Sequence, residues 1–212
     1  MDARLTNLPT RELIERLATS DPIPGGGSAS ALAGAMGAAL VHMVVALTAN
    51  RPAAAGNEEI LAEIGSEAVA AQSELLRLAE LDAAAYDAVI RARRLPKDTE
   101  LERQSRDTQA HQATREATLA PLETVRRAAD VLGLAERLAP IGNRNAVSDV
   151  GVGALLAVTA MRGAAFNVRI NLPYLADDDP LREDAGSQLY ALLDRIDERE
   201  RDVRHAVEAR LG

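Results

Sequence analysis

Residues 29 to 49 form a long apolar run of about 20 residues, rich in alanine and glycine. That length suits a bilayer span. The small side chains carry little transfer free energy, however, His42 lies inside the run, and no cluster of basic residues flanks either end. The run therefore predicts a buried central helix with no membrane partner. Small side chains also let helix axes approach until backbone meets backbone, which places such a helix at the centre of a bundle.

The rest of the chain agrees with an all-α fold. Its long segments repeat apolar residues at three- and four-residue steps, and no stretch alternates with period two. Breaks at proline and glycine divide it. A first helix is expected over about Pro9 to Ala18, closed by Thr19-Ser20-Asp21-Pro22-Ile23-Pro24. A second starts at the following glycines and ends at Asn50-Arg51-Pro52, and a third runs from about Asn57 to Arg94. A fourth spans Asp98 to Leu132, with Pro121 expected to kink or split it. A fifth runs from about Asn145 to Leu172, and a last amphipathic helix reaches the C-terminus. With no internal repeat or linker, residues 1–212 are read as one domain, an antiparallel helical bundle with long Ala/Gly-rich central helices. The small apolar faces left on its outside call for a second copy, so a homodimer is expected.

Composition narrows the function. Cysteine is absent, which removes thiolate zinc sites, cysteine nucleophiles and disulfides, and suits a reducing cytoplasmic setting. Met1-Asp2-Ala3-Arg4-Leu5 leads straight into a polar amphipathic stretch, unlike a secretory signal. A net charge of −8, with one Phe, three Tyr and no Trp, offers neither the basic field nor the stacking platforms of nucleic-acid binding. No His-x-x-x-His or HExxH pattern points to a metal, and no Gly-x-Ser-x-Gly elbow to a serine nucleophile. His42 reads as a satisfied core histidine, with His111 and His205 on polar faces.

Three places carry polar chemistry where packing alone would not put it. Gly25-Gly26-Gly27-Ser28 opens the second helix, with Ser28 as a natural N-cap. The turn is either a site for an anionic group at a helix N-terminus or a tight turn that needs small residues. In the third helix the stripe Ile60, Ile64, Ala68, Ala71, Leu75, Leu78 continues in steps of four to Asp82 and Tyr86, turning a carboxyl inward. Burial would raise its pKa toward that of an acid–base catalyst, unless it serves an internal hydrogen bond. In the fifth helix Asn145, Asp149, Val152, Leu156, Ala160, Gly163, Asn167 and Asn171 share one stripe, which suggests a ligand cleft or a network tying helices together. Asp149 and Asn167 stand about 27 Å apart on a straight helix, so they cannot flank one carbon in one subunit. Either the helix ends meet different parts of a long ligand, or a second subunit brings two ends together. Lys97, just past a helix end, is expected at the surface within reach of a cleft mouth.

These residues resemble the cyclodeaminase domain of formiminotransferase-cyclodeaminase and the related stand-alone methenyltetrahydrofolate cyclohydrolases. The resemblance rests on Asp21-Pro22-Ile23-Pro24-Gly25-Gly26-Gly27-Ser28, and on Asp82 with Ala85-Tyr86 and Leu95-Pro96-Lys97. It continues through Gly142-Asn143-Arg144-Asn145, Ser148-Asp149-Val150-Gly151 and Asn167-Val168-Arg169-Ile170-Asn171. The segment from Asp98 to Ala120 matches least distinctively. The resemblance implies a helical homodimer whose small-molecule substrate is a tetrahydrofolate with its one-carbon unit between N5 and N10, and no other cofactor. It implies catalysis by Asp82 and Asp149. Gly25, Gly26, Gly27, Ser28, Asn145, Ser148, Asn167 and Asn171 would bind substrate, with Asp21 and Lys97 in lesser parts. Hydrolysis of the methenyl bridge is the favoured reaction because no formiminotransferase segment accompanies the chain. Ammonia-releasing cyclisation of the formimino form is the alternative, and a non-catalytic dimer that binds folate or protein is a third.

Overall fold

In a computed structural model, which describes residues 4–49, 51 and 54–211, the chain is helical with no strand among the described residues. The helices are α1 (Thr10–Leu17), α2 (Gly26–Ala49), α3 (Glu58–Arg93), α4 (Glu100–Leu138), α5 (Val147–Asn171), α6 (Leu181–Leu193) and α7 (Ile196–Leu211). The expected starting segment Met1-Asp2-Ala3 and the stop residues Asn50 and Pro52 lie outside the described residues.

The core is a ring of four. α2 packs on α3 and α5, α4 packs on the same two helices, and α2 and α4 face each other across the diagonal. Each neighbour in the ring runs antiparallel to the next. Ser28 of α2 meets Ala79 and Asp82 of α3, while His42, further along α2, meets Gly65. Gly34 lies beside Ala160 of α5 and Gly37 beside Gly153. The closeness of α2 and α5 follows from those glycines: a Cβ at Gly37 would stand 2.8 Å from the Gly153 carbonyl, and one at Gly153 3.1 Å from the Gly37 carbonyl. Leu61, Ile64, Leu75, Leu78, Leu122, Leu132, Leu138 and Met161 fill the centre of the ring. α2 and the stretch 144–174 are long and apolar enough to cross a membrane, and about half of each is buried against its neighbours.

Three expectations need correction. The fourth helix passes Leu132 and Gly133 and ends at Leu138, because Leu134, Ala135 and Leu138 continue its buried stripe. Gly133 leaves room for Arg199 of α7, whose guanidinium meets the Glu136 carboxylate through two contacts of 2.8 Å. Pro121 does not split that helix. A proline lacks the N–H that would bond the carbonyl four residues earlier, here Ala117, and Asn171 of α5 supplies a replacement, its Nδ2 donating to the Ala117 carbonyl at 2.7 Å. The last helix is two. Arg195 adopts a left-handed φ of 56° after α6, and the chain restarts as α7 on a new axis, where Ile196, Val203 and Val207 are buried.

Candidate functional site

α2 begins at Gly26, so its first-turn amides have no carbonyl of their own helix to bond. The group that packs against this turn comes from α3. Asp82 Oδ2 accepts from the Ser28 hydroxyl at 2.9 Å. The fit is close enough that a Cβ at Gly27 would overlap the Asp82 carboxyl. Gly27 is therefore required by its neighbour across the helix interface, and the glycine turn serves an internal carboxylate as well as an open cleft. Ser28 is not the N-cap expected from sequence. It sits inside the first turn, fully buried, with its hydroxyl also 3.0 Å from the Ala79 carbonyl.

Beside Asp82 opens a cleft of about 230 Å³, walled by the start of α2, by α3 and by the C-terminal end of α5, with Ala117 of α4 at its edge. Gly25, Gly26, Gly27, Asp82, Asn167 and Asn171 all line it, so six of the residues singled out in the sequence come together. Asn167 Nδ2 donates to the Gly163 carbonyl one turn back at 2.9 Å, and Asn171 Nδ2 to Ala117. Both amide groups are thus fixed by their nitrogens. Their Oδ1 atoms accept no hydrogen bond from the described residues. Burial pushes the Asp82 carboxyl above the ordinary aspartate value of 3.8, the bonds from Ser28 opposing that shift only in part. The site thus offers a proton-exchanging carboxyl, two fixed amide oxygens and the amide-rich start of a helix within one small cleft.

The other candidates fall elsewhere. Asn145 and Ser148 are exposed and Asp149 is half-buried, all at the opposite end of α5 and outside the cleft. Nearby Asn143 is structural: its Nδ2 donates to the Leu47 carbonyl at 3.1 Å, its amide to Thr48 Oγ1 at 2.8 Å, and its Oδ1 accepts from the Asn145 amide. Asp21 closes an exposed turn by accepting from the Ile23 amide at 3.1 Å, and Lys97 lies in the exposed turn after α3; neither lines the cleft. Tyr86, Ile23 and Ile170 do line it, although they were not proposed as contacts. Tyr86 could have been found from its place one turn beyond Asp82 on the same stripe. His42 is the satisfied histidine expected, its Nδ1 3.2 Å from the Gly65 carbonyl.

A larger groove of about 990 Å³ runs between α3, α4 and α7, but its charges are matched. Arg127 pairs with Glu123 and Asp130, Arg137 with Glu63, and Arg199 with Glu136. Among the described residues no group of three or more acidic or histidine side chains is placed to hold a metal ion.

Residues 9–187 match the sequence profile of the formiminotransferase-cyclodeaminase family. The chain is 39% identical over 180 residues to the methenyltetrahydrofolate cyclohydrolase of Methylorubrum extorquens, covering 85% of this chain and 86% of that one. It is 31% identical over 206 residues to the formimidoyltransferase-cyclodeaminase of Sus scrofa, but spans only 38% of that longer protein. Among solved structures, a formiminotetrahydrofolate cyclodeaminase from Thermotoga maritima superposes with a TM-score of 0.85 at 27% identity, over 97% of this chain and 98% of that one.

Proposed function

This chain belongs to the formiminotransferase-cyclodeaminase family, and from that premise we propose that it is an enzyme hydrolysing 5,10-methenyltetrahydrofolate to 10-formyltetrahydrofolate. One observation carries the reading: a carboxyl with a raised pKa opens on a cleft lined by two amide side chains, in a chain that shares its length with a relative of that activity.

The chemistry needs those groups. Water adds to the cationic methenyl carbon and loses a proton, giving a neutral tetrahedral carbon. The N5–C bond then breaks as N5 takes up a proton and the hydroxyl loses one, leaving the formyl group on N10 and one proton released overall. Ionised Asp82 steadies the cation and accepts the proton of the attacking water. Protonated, it returns a proton to N5. A carboxyl whose pKa is raised toward neutrality performs both halves better than one at its ordinary value. Asn167 and Asn171 present Oδ1 acceptors to the N–H groups of the pterin, and the first-turn amides of α2 meet a developing oxygen charge. No cofactor beyond the folate itself is required.

We further propose a cytoplasmic homodimer. Met36, Met43 and Leu47 of α2 and Val152, Leu155, Phe166 and Ile170 of α5 are exposed. They make an apolar face of the kind a second copy covers. A cleft of about 230 Å³ is also smaller than the roughly 300 Å³ at which small-molecule sites begin, so one subunit holds only part of a folate. A twofold that lays α5 antiparallel on its counterpart brings Asp149 of the partner subunit to the end of α5 that carries Asn167. Asp149 then serves as the second carboxylate, with Asn145 and Ser148 beside it.

The cyclodeaminase reaction is the second reading, supported by the whole-length likeness to the Thermotoga maritima enzyme. Supplying each folate separately decides: the first reading expects loss of the methenyl substrate, and the second expects ammonia from the formimino form.

A further inference from the structure

Ser28 stands where a folate contact was expected, yet it is fully buried beneath the cleft and does not line it. Its hydroxyl has two acceptors at nearly equal distance, Asp82 Oδ2 at 2.9 Å and the Ala79 carbonyl at 3.0 Å, but only one proton to give. We propose that Ser28 is the positioning residue of this site, a hydroxyl that turns between Ala79 and Asp82 and so holds the carboxyl in one place through both its ionised and its protonated forms.

The two arrangements follow from counting donors. With Asp82 ionised, the Ser28 O–H points at Oδ2. When Asp82 takes up a proton, that proton donates to Ser28 Oγ, whose own O–H swings to the Ala79 carbonyl. One O–H···O contact serves in both directions, and the displaced proton always has an acceptor. Neither state strands the Ser28 hydroxyl or the carboxyl proton without a partner. Gly27 completes the device, since any side chain at that position would occupy the space the carboxyl fills. Within one subunit the start of α2, Ala117 of α4, and Asn167 and Asn171 of α5 bring no charge to the carboxyl, and among the described residues lining the cleft Tyr86 of α3 is the one other titratable side chain. In the proposed dimer Asp149 of the partner subunit is the one further charge, and its presence is common to wild type and the Ser28 variants. A catalytic acid–base must change protonation state twice per turnover without moving, and this geometry provides for that.

The inference rests on the proposed reaction for its purpose, but not for its physics, so it is tested in two ways. Carboxyl-carbon NMR titration of the folded protein reads the Asp82 midpoint in wild type, Ser28→Ala and Ser28→Thr, the resonance being identified by its loss in Asp82→Asn. The pH profile of kcat on 5,10-methenyltetrahydrofolate is read on the same proteins, with circular dichroism confirming the fold. Ser28→Ala moves the midpoint upward, because of the two bonds it removes the one to the charged carboxylate is stronger than the one from the neutral carboxyl. It carries the corresponding limb of the kcat profile the same way and lowers kcat about tenfold with KM unchanged, the scale of one hydrogen bond to a charged group. Ser28→Thr, which keeps the hydroxyl, restores both. A folded Ser28→Ala with an unmoved midpoint overturns the proposal, as does a folded Ser28→Thr that behaves like Ser28→Ala. A shifted midpoint in a wild-type protein that turns over no folate keeps the Ser28–Asp82 device and removes the reaction assigned to it.

Discussion

Pro121 and Asn171 form a compensated pair whose energy is measurable. Pro121 leaves the Ala117 carbonyl without its partner in α4, and Asn171 Nδ2 occupies that carbonyl at 2.7 Å from α5. Ala117 is buried, so truncating the amide leaves its carbonyl without a protein donor. Asn171→Ala should therefore cost about 1–2 kcal/mol, the range for stranding a buried backbone acceptor. For a domain of this size that is a fall in Tm of roughly 2–4 °C per kcal/mol. In a Pro121→Ala background residue 121 regains an N–H, the bond within α4 re-forms, and the same truncation should cost less by about 1 kcal/mol. Urea unfolding of wild type, both single variants and the double variant, followed by circular dichroism at one fixed protein concentration, gives the coupling energy directly. Equal costs of Asn171→Ala in both backgrounds would refute the replacement of a helix bond by a side chain.

Other consequences follow from the same contacts. Gly27→Ala puts a Cβ into the space of the Asp82 carboxyl and should lower kcat by tenfold or more while leaving helical circular dichroism intact; an unaffected kcat would show that the carboxyl position does not matter. Because the folded Asp82 pKa is raised, its contribution to stability is fully present below the ordinary value of 3.8 and is lost as pH rises through the folded value. The stability of Asp82→Asn should therefore gain on wild type across that window, and a pH-independent difference in unfolding free energy would contradict the burial argument. Leu155→Arg, on the exposed face of α5, should convert a dimer of twice 22.5 kDa into monomers by light scattering, and a wild type already monomeric would remove the proposed interface.

The sequence showed the helices and the inward turn of Asp82 because both follow from one periodicity. Leu75, Leu78 and Asp82 lie on a single stripe, and the structure keeps them there. It also showed the crowding of small residues, realised as the contact of Gly37 with Gly153. What it hid were relations between distant segments. Ser28 reads as an N-cap until α3 brings Asp82 across it, and Pro121 reads as a break until Asn171 reaches Ala117. The stripe that includes Asn171 reads from sequence as a ligand cleft or a network tying helices together, and Asn171 takes part in both, lining the cleft while its amide nitrogen is committed to that carbonyl. The stripe expected on α5 largely flanks its buried face, with Val152 and Asn145 exposed, and its two ends belong to different surroundings, since Asn143 and Asn145 organise the chain reversal into α5 while Asn167 and Asn171 line the cleft. Residue types alone do not separate those uses. The left-handed Arg195 gave no signal either, because an arginine at positive φ is held by packing of α7 and not by its own preference.

The most direct test of the account is turnover of 5,10-methenyltetrahydrofolate, followed by loss of its absorbance, for wild type and Asp82→Asn across the pH range, with folding verified in each. The account predicts a wild-type rate well above the buffer reaction and a fall of at least a hundredfold in kcat in the variant, the usual scale of a general acid–base group. An Asp82→Asn protein that hydrolyses this substrate at the wild-type rate would contradict it.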